Sequence, residues 1–98
     1  MADLRVEWDV DKARINLRKH RVSFEEAQTV FADEHGLLID DPEHSAAEDR
    51  FVLLGMSAVS RLLVVVHCYR VEEHVVRIIS ARKADRQERR DYEEGLDR

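Results

Sequence analysis

The chain has 98 residues, of which 44% are hydrophobic and 38% are charged. This length predicts one domain over residues 1–98, with a single modest core. The longest apolar run, residues 62–66, is far shorter than the roughly 20 residues of a membrane-spanning helix. Because the N-terminal residues show no secretory signal, we expect a cytoplasmic protein. The single cysteine, Cys68, excludes an internal disulfide and a zinc site built from several cysteines.

The net charge of −5 conceals an uneven distribution of charge along the chain. No Lys or Arg lies between Val22 and Asp49, whereas two other stretches are basic. One is the first predicted helix, and the other follows Ser80. If the two basic stretches fold together, the protein has a positive face despite its acidic total. The acidic total still argues against broad nonspecific binding of nucleic acid.

The N-terminal third has the pattern of one strand and two helices. Residues 4–8 alternate apolar and polar side chains, as a half-buried strand does. Asp9 is a suitable N-cap for a helix that continues to about Arg21. Its expected core face carries Ala13, Leu17 and His20. Ser23 and Glu26 have the spacing of a capping box, which predicts a second helix.

The rest of the chain is mainly strand-like. A short strand is predicted over residues 37–39, a polar loop over 40–45, strands over 51–56, 62–69 and 75–80, and a last helix from Ala84 or Asp85 to Gly95. The short connections, including a turn at Glu72 and Glu73, predict an antiparallel meander. The fold class is therefore α+β, an antiparallel sheet of about four to five strands with helices packed on one face. The all-apolar run 62–66 is expected at the centre of the sheet.

The first group of residues suited to chemistry lies on the first helix. Lys12, Asn16, Lys19 and His20 recur three or four positions apart, so they fall on one side of that helix. An ammonium, a carboxamide and an imidazole could then meet the same ligand. For His20 alone, a contact with the helix dipole at the C-terminus is the alternative interpretation.

The second group is the arginine-rich junction between the last strand and the last helix. Clustered guanidinium groups offer planar forks for phosphate oxygens, although a solvated helix face has the same composition. Strand alternation would place Arg77 and Arg82 on opposite faces unless the chain turns after Ser80.

Together the two groups resemble the BrnT toxins of bacterial type II toxin-antitoxin systems. The resemblance rests on W-D-x-x-K from Trp8, K-H-x-V-S-F from Lys19 and I-S-A-R-x-A-x-x-x-E-R-R from Ile79. It implies a RelE-like microbial ribonuclease fold and RNA cleavage that inhibits translation. It also implies neutralisation by a BrnA-like ribbon-helix-helix antitoxin, through which alone operator DNA is bound. Arg21 departs from the family pattern, because glycine is common at this helix end.

The hypothesis that follows is RNA cleavage without metal or other cofactor. Such cleavage requires a deprotonated 2′-hydroxyl, a neutralised phosphorane charge and a protonated leaving 5′-oxygen. We expect Arg61, Arg77 and Arg82 to bind the scissile phosphate, Lys12 to add a further charge, and His20 or Glu88 to exchange protons. Lys19, Lys83 and Arg89 are expected to bind RNA.

Two alternatives remain from the sequence. The first is a noncatalytic module whose basic face docks a protein partner, which activity of the free protein on RNA would contradict. The second is a metal hydrolase that uses His35, Asp40, Asp41 and His44, whose spacing does not favour convergence on one ion. Phe31, Leu37 and Leu38 are candidates for the surface that an antitoxin covers, and each is equally suited to the core.

Overall fold

The structure is a computed structural model that describes residues 4–40, 50–70 and 73–97. Its elements in chain order are β1 Arg5–Glu7, α1 Val10–His20, α2 Phe24–Gln28, a 3-10 helix Thr29–Ala32, β2 Leu37–Asp40, β3 Arg50–Met56, β4 Leu62–Arg70, β5 Val75–Lys83 and α3 Arg86–Leu96. The predicted order of elements is confirmed. Residues 41–45 of the predicted loop and Glu72 of the predicted turn lie outside the described residues. No helix in these ranges is long and apolar enough to cross a membrane.

The five strands form one sheet in the order β1-β5-β4-β3-β2. Strands β3, β4 and β5 form the predicted antiparallel meander, and β2 pairs antiparallel with β3. Strand β1 pairs with β5 in parallel, so the sheet is mixed rather than antiparallel throughout. Strand β4 is central, as its apolar run predicts, and Leu63 and Val65 are fully buried.

Helices pack on both faces of this sheet. The 3-10 helix, α1 and α2 cover one face, here called the helical face, through a core of Val22, Phe24, Ala27, Val30, Leu53, Leu63, Val65, Ile78 and Ala81. Helix α3 packs on the opposite face, where Tyr92 joins Leu54, Leu62 and Val64. The prediction that all helices share one face is therefore wrong for α3. The part of this second face that lies beyond these four side chains is here called the open face.

Caps at the helix ends explain where the helices begin and end. The Asp9 carboxylate accepts from the N–H groups of Asp11 and Lys12 at 2.9 and 3.0 Å, which opens α1. Arg21 closes it in the left-handed conformation, with φ 59°, and its N–H donates to the Leu17 carbonyl. A non-glycine residue pays about 1–2 kcal/mol for this conformation. Leu17, predicted on the core face, is 48% exposed.

Strand β5 differs from its prediction in length and in regularity. It continues to Lys83 instead of ending at Ser80. Ser80 pairs with Val66, whereas Ile78 pairs with the next residue of β4, His67. Ile79 is therefore an extra residue that forms a β-bulge. The bulge reverses the alternation of side chains along the strand at this point.

Candidate functional site

The bulge places two of the predicted phosphate-binding arginines on the same face. Arg77 pairs with Cys68 and Arg82 pairs with Val64. Because Cys68 and Val64 are an even number of positions apart on a regular strand, all four side chains point to one side. Val64 belongs to the cluster under α3, so this is the side that contains the open face. No turn after Ser80 is needed to bring Arg77 and Arg82 to one side.

The open face contains a basic cleft. Arg50 of β3, Cys68 of β4 and Arg77 of β5 align in one row across the sheet. The cleft has a volume of about 420 Å³ and is lined by Lys12, Arg50, Cys68, Tyr69, Arg70, Arg77 and Ile79. Four of these side chains are cationic, and only Lys12 and Arg77 among them were predicted as site residues.

Arg77 and Arg70 each form a long and exposed ion pair at the cleft. Arg77 Nη1 lies 3.9 Å from Glu7 Oε2, and the two side chains are 39% and 47% exposed. Arg70 Nη1 lies 3.7 Å from Glu73 Oε2. Exposed pairs of this kind contribute about 0–1 kcal/mol, so they do not prevent either guanidinium from turning to an anionic ligand.

A smaller depression of about 200 Å³ adjoins the basic cleft, because Lys12 and Ile79 line both. Its other lining residues are Ile15, Asn16, Lys19, His20 and Ser80. The predicted residues Lys12, Lys19, His20 and Arg77 are thus brought to one continuous surface. His20 is the last residue of α1 and is half-buried.

Asn16 has a structural role instead of the predicted ligand-binding role. Its Nδ2 donates to the carbonyls of Val22 and Ala81, both at 2.9 Å, and its Oδ1 accepts from the Ala81 N–H at 3.1 Å. The side chain is buried, at 6% exposure. Both N–H donors are therefore used by the backbone, and the expectation that this carboxamide meets a ligand is wrong. Asn16 fastens the end of α1 to β5.

Arg61 is held in a network at the end of the sheet where β4 begins. Its Nε donates to Glu26 Oε2 at 2.9 Å, its Nη2 donates to Glu26 Oε1, and Nη2 also donates to the Arg21 carbonyl at 3.1 Å. The hydroxyl of Ser57 donates to Glu26 Oε2 at 2.7 Å. Arg61 thus ties α2 and the end of α1 to the start of β4.

Arg61 and Arg77 do not meet at one phosphate. Arg61 precedes Leu62 at the start of β4, whereas Arg77 pairs with Cys68 near its other end. At about 3.3 Å per residue, the step from Leu62 to Cys68 spans roughly 20 Å. The predicted convergence of these two arginines is therefore wrong.

The Glu26 network should make stability depend on pH. The hydrogen bond from Arg61 lowers the pKa of Glu26 against the opposing effect of burial. A carboxyl group with a lowered folded-state pKa stabilises the fold fully above its ordinary value of 4.5, and this stabilisation is lost as the pH falls through the lowered value. We expect Glu26→Gln to cost about 1–2 kcal/mol at neutral pH and less at pH 3, as measured by urea unfolding.

Glu25→Gln is the matched control, because Glu25 is the exposed neighbour on α2. It should change the free energy of unfolding little at either pH. A Glu26→Gln penalty of equal size at both pH values would contradict the assigned origin of the stabilisation.

Arg82 is engaged by Glu88. Its Nη1 and Nη2 donate to the two carboxylate oxygens, each at 2.8 Å. Glu88 also accepts from the Asp85 N–H at 2.8 Å and so completes the capping box of α3. The hydrogen bond from Arg82 lowers the pKa of Glu88. Glu88 is therefore an ionised structural partner of Arg82, which leaves it poorly placed to exchange protons with a substrate.

Lys83 and Arg89 lie with Arg61 rather than in the basic cleft. The three side chains line a third depression of about 250 Å³ together with Ser60, Leu62 and Ala84. It is here called the terminal depression, because it lies where β4 begins and β5 ends. Apart from the Arg82–Glu88 pair, the predicted site is thus divided between two places on the molecule.

An apolar groove of about 360 Å³ contains two of the three residues predicted for an antitoxin surface. Phe31 and Leu38 line it, and Leu38 is 60% exposed. Leu37 packs instead against the cluster that contains Tyr92. Among residues 4–40, 50–70 and 73–97, no group of three His, Cys, Asp or Glu side chains is placed to hold a metal ion. Asp41 and His44 of the metal hypothesis lie outside these ranges.

Comparison with known proteins agrees with this fold. A family model described as the ribonuclease toxin BrnT of type II toxin-antitoxin systems matches residues 8–88. The crystal structure of the Brucella abortus ribonuclease toxin BrnT superposes with a TM-score of 0.65 at 20% identity, covering 86% of this chain and all of that one. No curated protein matches the chain. Since the family model spans most of its length, the chain belongs to the BrnT family of ribonuclease toxins of type II toxin-antitoxin systems.

Proposed function

We propose that the chain is a toxin that cleaves RNA internally without a metal ion and thereby inhibits translation in the cytoplasm. The observation that carries this proposal is the basic cleft, in which Lys12, Arg50, Arg70 and Arg77 line one cavity. Bringing four cations together in a chain of net charge −5 is explained by an anionic substrate. Because the family consists of ribonuclease toxins, we take RNA to be this anionic substrate.

The proposed chemistry is attack of the 2′-oxygen on the adjacent phosphorus. The bond from phosphorus to the 5′-oxygen breaks, and the products carry a 2′,3′-cyclic phosphate and a 5′-hydroxyl. Arg50 and Arg77 neutralise the phosphorane, because guanidinium forks match its equatorial oxygens. Lys12 adds a charge at the border of the two depressions.

We assign proton exchange to His20 rather than to Glu88. Imidazole is the side chain that most often takes up and releases protons near neutral pH, and His20 lines the depression beside the cleft. The proton removed from the 2′-hydroxyl is then returned to the leaving 5′-oxygen. Lys19, in the same depression, contacts a neighbouring phosphate.

We further propose that a BrnA-like ribbon-helix-helix antitoxin neutralises the toxin. The support is membership of a type II system, in which toxin and antitoxin are both proteins. Operator DNA would be bound only through the antitoxin.

Incubation of end-labelled RNA with the antitoxin-free chain in excess chelator should give cleavage. The products should carry 2′,3′-cyclic phosphate ends, which resist addition of a 3′-adaptor until the cyclic phosphate is opened and removed. Arg14→Ala is a suitable control, because Arg14 is exposed on α1 and pairs only loosely with Asp11 at 3.6 Å. Cleavage that appears only after a divalent metal is added would contradict metal independence. Absence of cleavage on free RNA and on translating ribosomes would favour the noncatalytic binding module.

A further inference from the structure

We propose that the terminal depression is a second phosphate-binding site, and that an unpaired RNA strand lies along β5 between it and the basic cleft. This inference rests on the proposed cleavage of RNA and adds the length and strandedness of the substrate. In this proposal, the bound phosphate at Arg61, Lys83 and Arg89 is not the one that is cleaved.

Cations from three elements converge on the terminal depression. Arg61 stands before β4, Lys83 ends β5, and Arg89 lies on α3. Glu26 engages Arg61 through two nitrogens and so neutralises one of the three charges. Lys83 and Arg89 are both exposed. The network around Glu26 fixes Arg61, so part of the site is already formed before a phosphate arrives.

The distance between the two sites suits several nucleotides. Lys83 pairs with Leu63, and Arg77 pairs with Cys68. At about 3.3 Å per residue, the step along β4 between these partners spans roughly 17 Å. One strand of a DNA duplex rises about 3.4 Å per nucleotide. At that rise the two sites would be roughly five nucleotides apart, and a more extended unpaired strand would bridge them with fewer.

Arg82 lies between the two sites on the same side of the sheet as Arg77, with its side chain 44% exposed. A strand that follows β5 therefore passes a guanidinium and then turns around the end of β5 to reach Lys83, which pairs with Leu63 of the helical-face core. The strand must be unpaired at the cleft, because in-line attack by the 2′-oxygen requires the scissile linkage to leave the geometry of an A-form helix. Recognition of single-stranded RNA also exposes base faces that a duplex hides.

The test measures binding without cleavage. Labelled 2′-O-methyl RNA, which lacks the attacking hydroxyl, is titrated with the chain as lengths of three and ten nucleotides, and binding is followed by fluorescence anisotropy. The parent should bind the decamer more tightly than the trimer. The double variant Lys83→Ala with Arg89→Ala should weaken decamer binding by about tenfold. The slope of log affinity against log salt concentration should fall in magnitude by about 1.4, because each lost phosphate contact contributes about 0.7. Trimer binding should not change.

Arg86→Ala with Arg90→Ala is the matched control, because it removes the same charge from exposed positions on α3. It should keep decamer affinity within about twofold, as expected for charges that do not touch a phosphate. The second site would be overturned if the two double variants lost equal affinity for the decamer. It would also be overturned if Lys83→Ala with Arg89→Ala lost equal affinity for the trimer and the decamer, or lost none. A length-dependent loss in a chain that cleaves no RNA would keep the second site and reject the nuclease.

Discussion

Replacement of Arg77 by alanine is expected to reduce the rate of RNA cleavage by about a hundredfold to a thousandfold, the usual effect of removing one group that stabilises transition-state charge. Arg77 stands in the row that crosses the floor of the basic cleft, beside Cys68. Its ion pair with Glu7 is long and half-exposed, so its removal should not affect folding. Single-turnover cleavage at saturating protein measures the chemical step, and a thermal melt verifies the fold.

Arg77→Lys separates charge from geometry. A lysine keeps the positive charge and loses the planar fork, so we expect a rate between those of the parent and the alanine variant. Arg82→Ala should have a smaller effect than Arg77→Ala, because Arg82 is bound to Glu88 on both of its terminal nitrogens. If Arg77→Ala cleaved as fast as the parent while Arg82→Ala were inactive, the scissile phosphate would have to lie beside Arg82 at the start of α3.

Replacement of Asn16 by alanine is expected to lower the free energy of unfolding by about 3 kcal/mol. Three buried hydrogen bonds to the backbone of Val22 and Ala81 are lost, and groups left unsatisfied in the interior cost about 1–3 kcal/mol each. The higher helix propensity of alanine offsets roughly 0.5 kcal/mol of this cost. In a domain of this size the melting temperature should fall by roughly 12–24 °C.

Ile15→Ala and Leu17→Ala are controls from the same turn of α1. Both side chains are exposed, at 59% and 48%, so each substitution should change the free energy of unfolding by less than about 0.5 kcal/mol. An Asn16→Ala variant that unfolds like the parent but binds RNA weakly would restore the ligand role that helix periodicity suggests.

Local sequence patterns predicted the positions of helices and strands. They do not show which strands pair or which face of the sheet a helix covers. Asp9, Ser23 and Asp85 cap the three helices where the sequence places helix starts. The parallel pairing of β1 with β5 joins residues far apart in the chain, so no local pattern reports it. Tyr92 of α3 is buried with Leu54, Leu62 and Val64, and no local pattern reports which face of the sheet the last helix covers.

The candidate site was predictable where its residues share one helix. Lys12, Lys19 and His20 follow the helical period, and the structure brings them to one surface. The carboxylates that bind Arg61 and Arg82 were not visible as partners, because Glu26 lies in another helix and Glu88 completes a cap. Arg50 and Arg70 were missed as site residues. In the sequence, each lies outside the two basic stretches, and only the pairing of strands shows that they share a cleft with Arg77.

The extra residue at Ile79 has a consequence for changes in chain length. If all residues from Ile78 onward alternated strictly, with Ile79 included in the ladder, Arg82 would point into the core beneath α1 and α2 and Ala81 would point away from it. Deletion of Ile79 would remove the bulge and restore a regular ladder, which leaves the directions of Ala81 and Arg82 unchanged. We therefore expect β5 to accept the loss of one residue at this point more readily than the insertion of one, because an inserted residue would need a second irregularity in the strand.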